Sequence, residues 1–105
     1  MDFVALLKMT DVFVTLDTAP MHIASAADVP LVAIFGCTAP KSVAPLSSKS
    51  IVIAPENCPC VPCIPLRVAV FPGISKRTGS GKCLDQKCMV AISVEEVLAA
   101  VERCL

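Results

Sequence analysis

The residues best suited to chemistry in this chain fall into two groups. The first is Asp17-Thr18-Ala19-Pro20-Met21-His22, which gathers an acid, a hydroxyl, a proline and the sole histidine between two apolar runs, Val12–Leu16 and Leu31–Phe35. A helix starting at such a junction leaves its first backbone N–H groups unpaired and carries roughly half a positive charge at that end. Two readings stay open on spacing alone. In one, Asp17 or Thr18 caps the helix, Pro20 sits in a first turn where its missing N–H costs nothing, and His22 is a surface residue. In the other, the turn holds an anion, phosphate being the natural guest, and His22 adds a contact at the same pole.

The second group is the cysteines, seven in number. Cys60-x2-Cys63 and Cys83-x4-Cys88 make two pairs that can close around a tetrahedral zinc, with Cys37 and Cys58 as spare ligands and Cys104 in the last helix. A structural zinc would offset the ordering entropy of a long proline-rich loop. The alternative is buried thiols without metal. Residues Met1–Phe13 carry an acid at position 2 and a very short apolar core, so they do not read as a signal peptide. An odd cysteine count without an export signal points to a reducing cytoplasm rather than a disulfide framework.

A third stretch fails as a site. Arg77-Thr-Gly-Ser-Gly-Lys-Cys83 is similar to the end of a phosphate-binding P-loop, but the earlier glycine would fall at Lys76 and the residue after Lys82 is Cys83, not Ser or Thr. It reads as a basic loop.

These groups need a scaffold, and 105 residues provide one domain at most. Nine basic and nine acidic residues are scattered, giving zero formal charge, and four Phe with no Trp or Tyr leave little for base stacking. Nucleic acid is therefore not an expected partner. The hydrophobic fraction is 55%, yet the longest stretch without a charge is Val29–Pro40, 12 residues with Pro at its second and last positions. A spanning helix needs about 20 apolar residues, so no transmembrane segment is expected. The apolar excess fits strands buried on both faces, as in parallel sheets, or a piece that packs on more protein.

The pattern predicts a short helix over Phe3–Met9 with Asp2 as cap, a strand over Val12–Leu16, a helix over Pro20–Ala27, and a strand over Leu31–Phe35 stopped by Gly36. Strand, helix and strand within so few residues make a βαβ unit with parallel strands. Ser50–Ala54 is a third strand. Residues 1–54 thus form the βαβ core of a single partial domain spanning 1–105. Pro55, Pro59, Pro62, Pro65 and Pro72 make 55–92 a Cys/Pro-rich loop, with an extended piece at Val68–Phe71. Residues 93–105 form the closing helix, where Ser93 and Glu96 have capping-box spacing and Val94, Val97, Leu98, Val101 and Leu105 form an apolar stripe. The opening residues read as the tail of a helix entering a strand, so the chain is expected to begin within a larger fold.

The stretch Asp17–Pro40, DTAPMHIASAADVPLVAIFGCTAP, resembles the C-terminal domain of glycosyltransferase family 9, the ADP-heptose:lipopolysaccharide heptosyltransferases. That family carries Asp-Thr/Ser-Gly-Pro-x-His-Ile/Leu-Ala-Ala here, then Val-Pro, an apolar strand and Phe-Gly-x-Thr-x-Pro, which Val29, Pro30, Phe35, Gly36, Thr38 and Pro40 match. CPCVPC and CMVAISVEEV resemble the family's cysteine-containing loop and last helix, whereas Ile64–Lys82 matches poorly. The resemblance implies an α/β fold, a partial Rossmann-like parallel sheet forming the C-terminal portion of a GT-B type glycosyltransferase.

It also implies that Asp17, Thr18, Ala19, Pro20, Met21 and His22 bind the donor. Amides of the turn and His22 would meet the diphosphate of an ADP-heptose-like nucleotide-sugar, and Asp17 would reach the sugar hydroxyls. The family's glycine is Ala19 here, and Cys37 and Ala39 replace its usual Pro and Asp or Asn, which predicts a poorer phosphate fit. No catalytic residue is assigned, because the family's carboxylate base sits on an acceptor domain with no counterpart in this chain.

The expectation is a fragment of an inverting, metal-independent transferase of lipopolysaccharide-core synthesis, inactive alone. It would act in the cytoplasm at the inner face of the inner membrane, with no required cofactor, and would partner an acceptor-binding half or itself. The other expectation is a zinc-stabilised or thiol-rich non-catalytic interaction module.

Overall fold

The computed structural model describes residues 2–36, 38–56 and 87–105. The Asp2 carboxylate accepts from the Val4 N–H at 3.0 Å and caps α1 (Phe3–Leu7), as its position predicts. The chain then enters β1 (Phe13–Leu16), α2 (Ala19–Ala26) and β2 (Leu31–Ile34). A four-residue helix α3 (Pro40–Val43) leads to β3 (Ser50–Ile53), and α4 (Lys87–Val90) precedes α5 (Val94–Cys104).

The three strands form a parallel sheet in the order β1-β2-β3, with Phe13 opposite Leu31 and Leu31 opposite Ser50. That register sorts the side chains. Leu31, Ala33 and Phe35 face α1 and α2, where they join Leu7, Met21, Ala24 and Val29. Val32 and Ile53 face α5 and pack with Ala100. Helices on both faces explain why Leu-Val-Ala-Ile is an unbroken apolar run: Leu31, Val32 and Ala33 are all fully buried. Burying Leu31 and Val32 is worth roughly 1.5–3 kcal/mol each. The parallel α/β reading therefore holds, and the sheet with its flanking helices is a partial Rossmann-like fold. Phe3 and Phe13 meet edge to face, their ring centroids 6.2 Å apart, and tie α1 to β1.

In α5 the cap is as expected, Ser93 Oγ accepting from the Glu96 N–H at 3.1 Å. The stripe is only partly covered. Val97 and Val101 pack on the sheet with Ala100 and Cys104, but Val94, Leu98 and Leu105 are exposed. The helix lies over β2 and β3, so only one edge of a wide apolar face finds a partner. Val14 and Leu16 on β1 share that side of the sheet and are likewise exposed.

The turn after α2 is a Schellman motif. The Val29 N–H donates to Ala24 O at 3.1 Å and the Asp28 N–H to Ser25 O at 3.2 Å, with Val29 and Ala24 in the same core cluster. Asp28 takes the left-handed position with φ 57°, the sole positive φ among the described non-glycine residues. Lys49 Nζ donates to its carboxylate at 2.6 Å, and Ser25 Oγ accepts from the Leu46 and Ser47 N–H groups at 3.1 Å each. These bonds fasten the start of β3 to the end of α2.

The hydrogen bond from Lys49 holds the Asp28 carboxyl below its ordinary value of 3.8. A folded-state pKa below the unfolded one means that the stabilisation is present above that ordinary value and is lost as pH falls through the lowered one. The pair is exposed, so the effect is small. Thermal unfolding between pH 7 and pH 3 should show a slightly steeper acid loss in wild type than in Lys49→Ala.

Two short helices were not expected from the pattern. Pro40 sits in the first turn of α3, where its fixed φ suits the start of a helix, and Val43 packs against the α1/α2 cluster. Helix α4 falls within the stretch read as loop. Its cause is tertiary contact: a Cβ on Gly36 would stand 2.8 Å from Met89 Sδ and 3.8 Å from Cys88 Sγ. A glycine at the end of β2 lets α4 approach that closely. The expected extended piece Val68–Phe71 and the loop Arg77–Cys83 lie outside the described residues, as does most of the 55–92 segment.

Candidate functional site

The six residues from Asp17 to His22 lie at the carboxyl end of β1 and in the first turn of α2, where ligands gather in open α/β sheets. The turn forms because Thr18, with φ −144° and ψ 170°, is extended, and Ala19-Pro20 then start the helix. Met21 is fully buried against the α1/α2 cluster, and its N–H donates to Thr18 O at 3.0 Å. It anchors the turn from behind. Thr18, Ala19 and His22 are exposed, while Asp17 and Pro20 are half-buried.

Neither side chain offered as a cap is one: among the described residues no side-chain hydrogen bond caps α2. The Thr18 hydroxyl donates backwards to Leu16 O at 3.4 Å. The Asp17 carboxylate accepts from the Thr38 hydroxyl at 2.5 Å, across 21 residues of chain. With both groups engaged elsewhere, the Thr18 and Ala19 amides have no acceptor among the described residues. Among the described residues the N-terminus of α2 thus presents two unaccepted donors and its dipole, with His22 one turn further on. This arrangement can hold a small anion and leaves a carboxylate beside it for neutral hydroxyls.

Ala19 itself imposes no backbone strain, since its φ is not positive. Relative to glycine, it adds one exposed methyl group at the first helical residue.

Thr38 is the residue whose role spacing alone did not reveal. The signal was nonetheless in the βαβ pattern: parallel strands bring their carboxyl ends together, and Leu16 pairs with Ile34. The residues just after each strand must then be neighbours.

Of the cysteines read as a zinc set, Cys60, Cys63 and Cys83 lie outside the described residues, together with Cys37 and Cys58. Cys88 is buried in α4 beside Gly36. Cys104 packs beneath α5, its thiol 4.0 Å from Leu31 O. Among the described residues, no group of three His, Cys, Asp or Glu side chains is placed to hold a metal, and no helix is long and apolar enough to cross a membrane.

A model of glycosyltransferase family 9 (heptosyltransferase) matches residues 1–67, which include both strand-end turns. No curated protein and no solved structure gives a significant match.

Proposed function

The chain belongs to glycosyltransferase family 9, the heptosyltransferase family, and from that premise we propose that the β1–α2 turn binds the diphosphate of a nucleotide-sugar donor. The observation that carries this reading is the N-terminus of α2, uncapped among the described residues, with the Thr18 and Ala19 amides without an acceptor there and His22 exposed beside them. In sugar transfer with inversion, an acceptor hydroxyl attacks the anomeric carbon as the bond to the diphosphate breaks. Negative charge then grows on the leaving phosphate oxygen. Amide donors fixed at a helix N-terminus stabilise that charge without reorganising. Asp17, held beside the turn, is suited to accept from sugar hydroxyls.

The donor in this proposal is ADP-heptose-like and the acceptor belongs to the lipopolysaccharide core, a reaction at the cytoplasmic face of the membrane. These 105 residues supply donor binding, and the base that activates the acceptor hydroxyl comes from another domain. The purified chain alone is then expected to bind donor without turning it over.

The test is calorimetric titration of the full chain with ADP. Saturable binding is expected in wild type, and weaker binding in the Thr18→Ala/His22→Ala double variant, which loses the His22 contact but keeps both amides. Absence of binding together with zinc-dependent folding would refute this reading and favour a zinc-stabilised interaction module.

A further inference from the structure

The Asp17–Thr38 hydrogen bond has a consequence for the neighbouring helix end. Asp17 is one residue ahead of the N-cap Thr18, and a carboxylate there is drawn to the positive end of α2. Left unheld, it would turn to the Ala19 amide, as acids at helix starts do. It would then both occupy a donor and place a negative charge where an anion should sit. Instead it accepts from Thr38 at 2.5 Å in a half-buried setting, and no side chain among the described residues caps the helix. Thr38 stands on the loop between β2 and α3, beside Gly36, which is held close to α4. A residue of the second strand-end turn thereby controls the first.

We propose that Thr38 is a positioning residue: its hydroxyl draws Asp17 off the N-terminus of α2 and so keeps the Thr18 and Ala19 amides open for an anionic ligand. The ligand half of this statement rests on the donor-binding reading above, while the conformational half stands without it. The hydroxyl is required as a donor, so serine can replace threonine and valine, of the same shape, cannot.

The test uses the full chain and two readouts. ADP is the probe, since it carries the diphosphate but not the sugar that Asp17 would meet. Thr38→Val is expected to weaken ADP binding on the order of tenfold through the misplaced carboxylate, while Thr38→Ser stays close to wild type. Hydrogen exchange at the Ala19 amide, read by NMR without ligand, is expected to slow in Thr38→Val and not in Thr38→Ser.

If wild type binds ADP and Thr38→Val binds it equally well, the proposal is overturned. Should wild type fail to bind ADP, the donor-binding reading falls, and amide exchange alone decides the conformational claim: unchanged exchange in Thr38→Val overturns it. Thr38→Ala, which loses the hydroxyl without adding bulk, covers the case in which Thr38→Val does not fold: ADP binding should again weaken on the order of tenfold and exchange at the Ala19 amide should slow, and wild-type values of both would overturn the proposal.

Discussion

Ala19→Pro should bind ADP about tenfold or more weakly than wild type while unfolding at the same temperature or slightly above it. The backbone already accommodates proline. Ala19 is the first helical residue, where proline is favoured, and Thr18 before it is extended, as a pre-proline residue prefers. The Ala19 amide has no acceptor among the described residues, so removing it breaks no hydrogen bond within them. Proline at a compatible position stabilises by about 0.4–1 kcal/mol through the unfolded state. Binding answers differently. One amide bond to a charged phosphate is worth about 1.5–3 kcal/mol, hence tenfold or more in affinity. Ala19→Gly should move affinity the other way by clearing the methyl group from the mouth of the turn. Unaltered ADP affinity in Ala19→Pro would mean that the diphosphate does not sit on these amides.

Phe35→Ala is expected to lower the unfolding free energy by about 3–5 kcal/mol, a large part of the stability of a domain this size. Phe35 is fully buried at the end of β2, packed with Leu7, Met21 and Leu31, and its N–H donates to Ile53 O at 2.8 Å. Truncation opens a cavity in the cluster that holds α2 against the sheet. The midpoint of thermal unfolding should drop by on the order of 15–30 °C. Leu46→Ala is the matched control, since Leu46 is 99% exposed and its loss should change stability by at most about 0.5 kcal/mol. Equal effects from the two substitutions, read by calorimetry or circular dichroism, would be incompatible with the described core.

The βαβ core was readable because each of its signals has a short-range cause. The unbroken apolar run Leu31–Phe35 told of burial on both faces, and the structure places helices on both. Asp2 and Ser93 act as the caps that their types and spacing predict. Asp17 has the same capping chemistry, yet its partner is Thr38, and that choice depends on which strands are neighbours. A local rule cannot see a competitor 21 residues away. The same holds for α4, which packs on a glycine far back in the chain, and for α5, whose stripe is wider than the two strands beneath it. The site's location was therefore legible from the junction of an apolar run with Asp-Thr-Ala-Pro, whereas its open, uncapped state was not. That state depends on a long-range hydrogen bond.

The most direct test of the account is an NMR titration of the full 15N-labelled chain with ADP, with adenosine as comparison. ADP is expected to shift the Thr18, Ala19 and His22 amides first and most, together with Thr38 through Asp17, and adenosine to leave them in place. Shifts confined to other elements, or the same shifts with adenosine as with ADP, would contradict a diphosphate site at the start of α2.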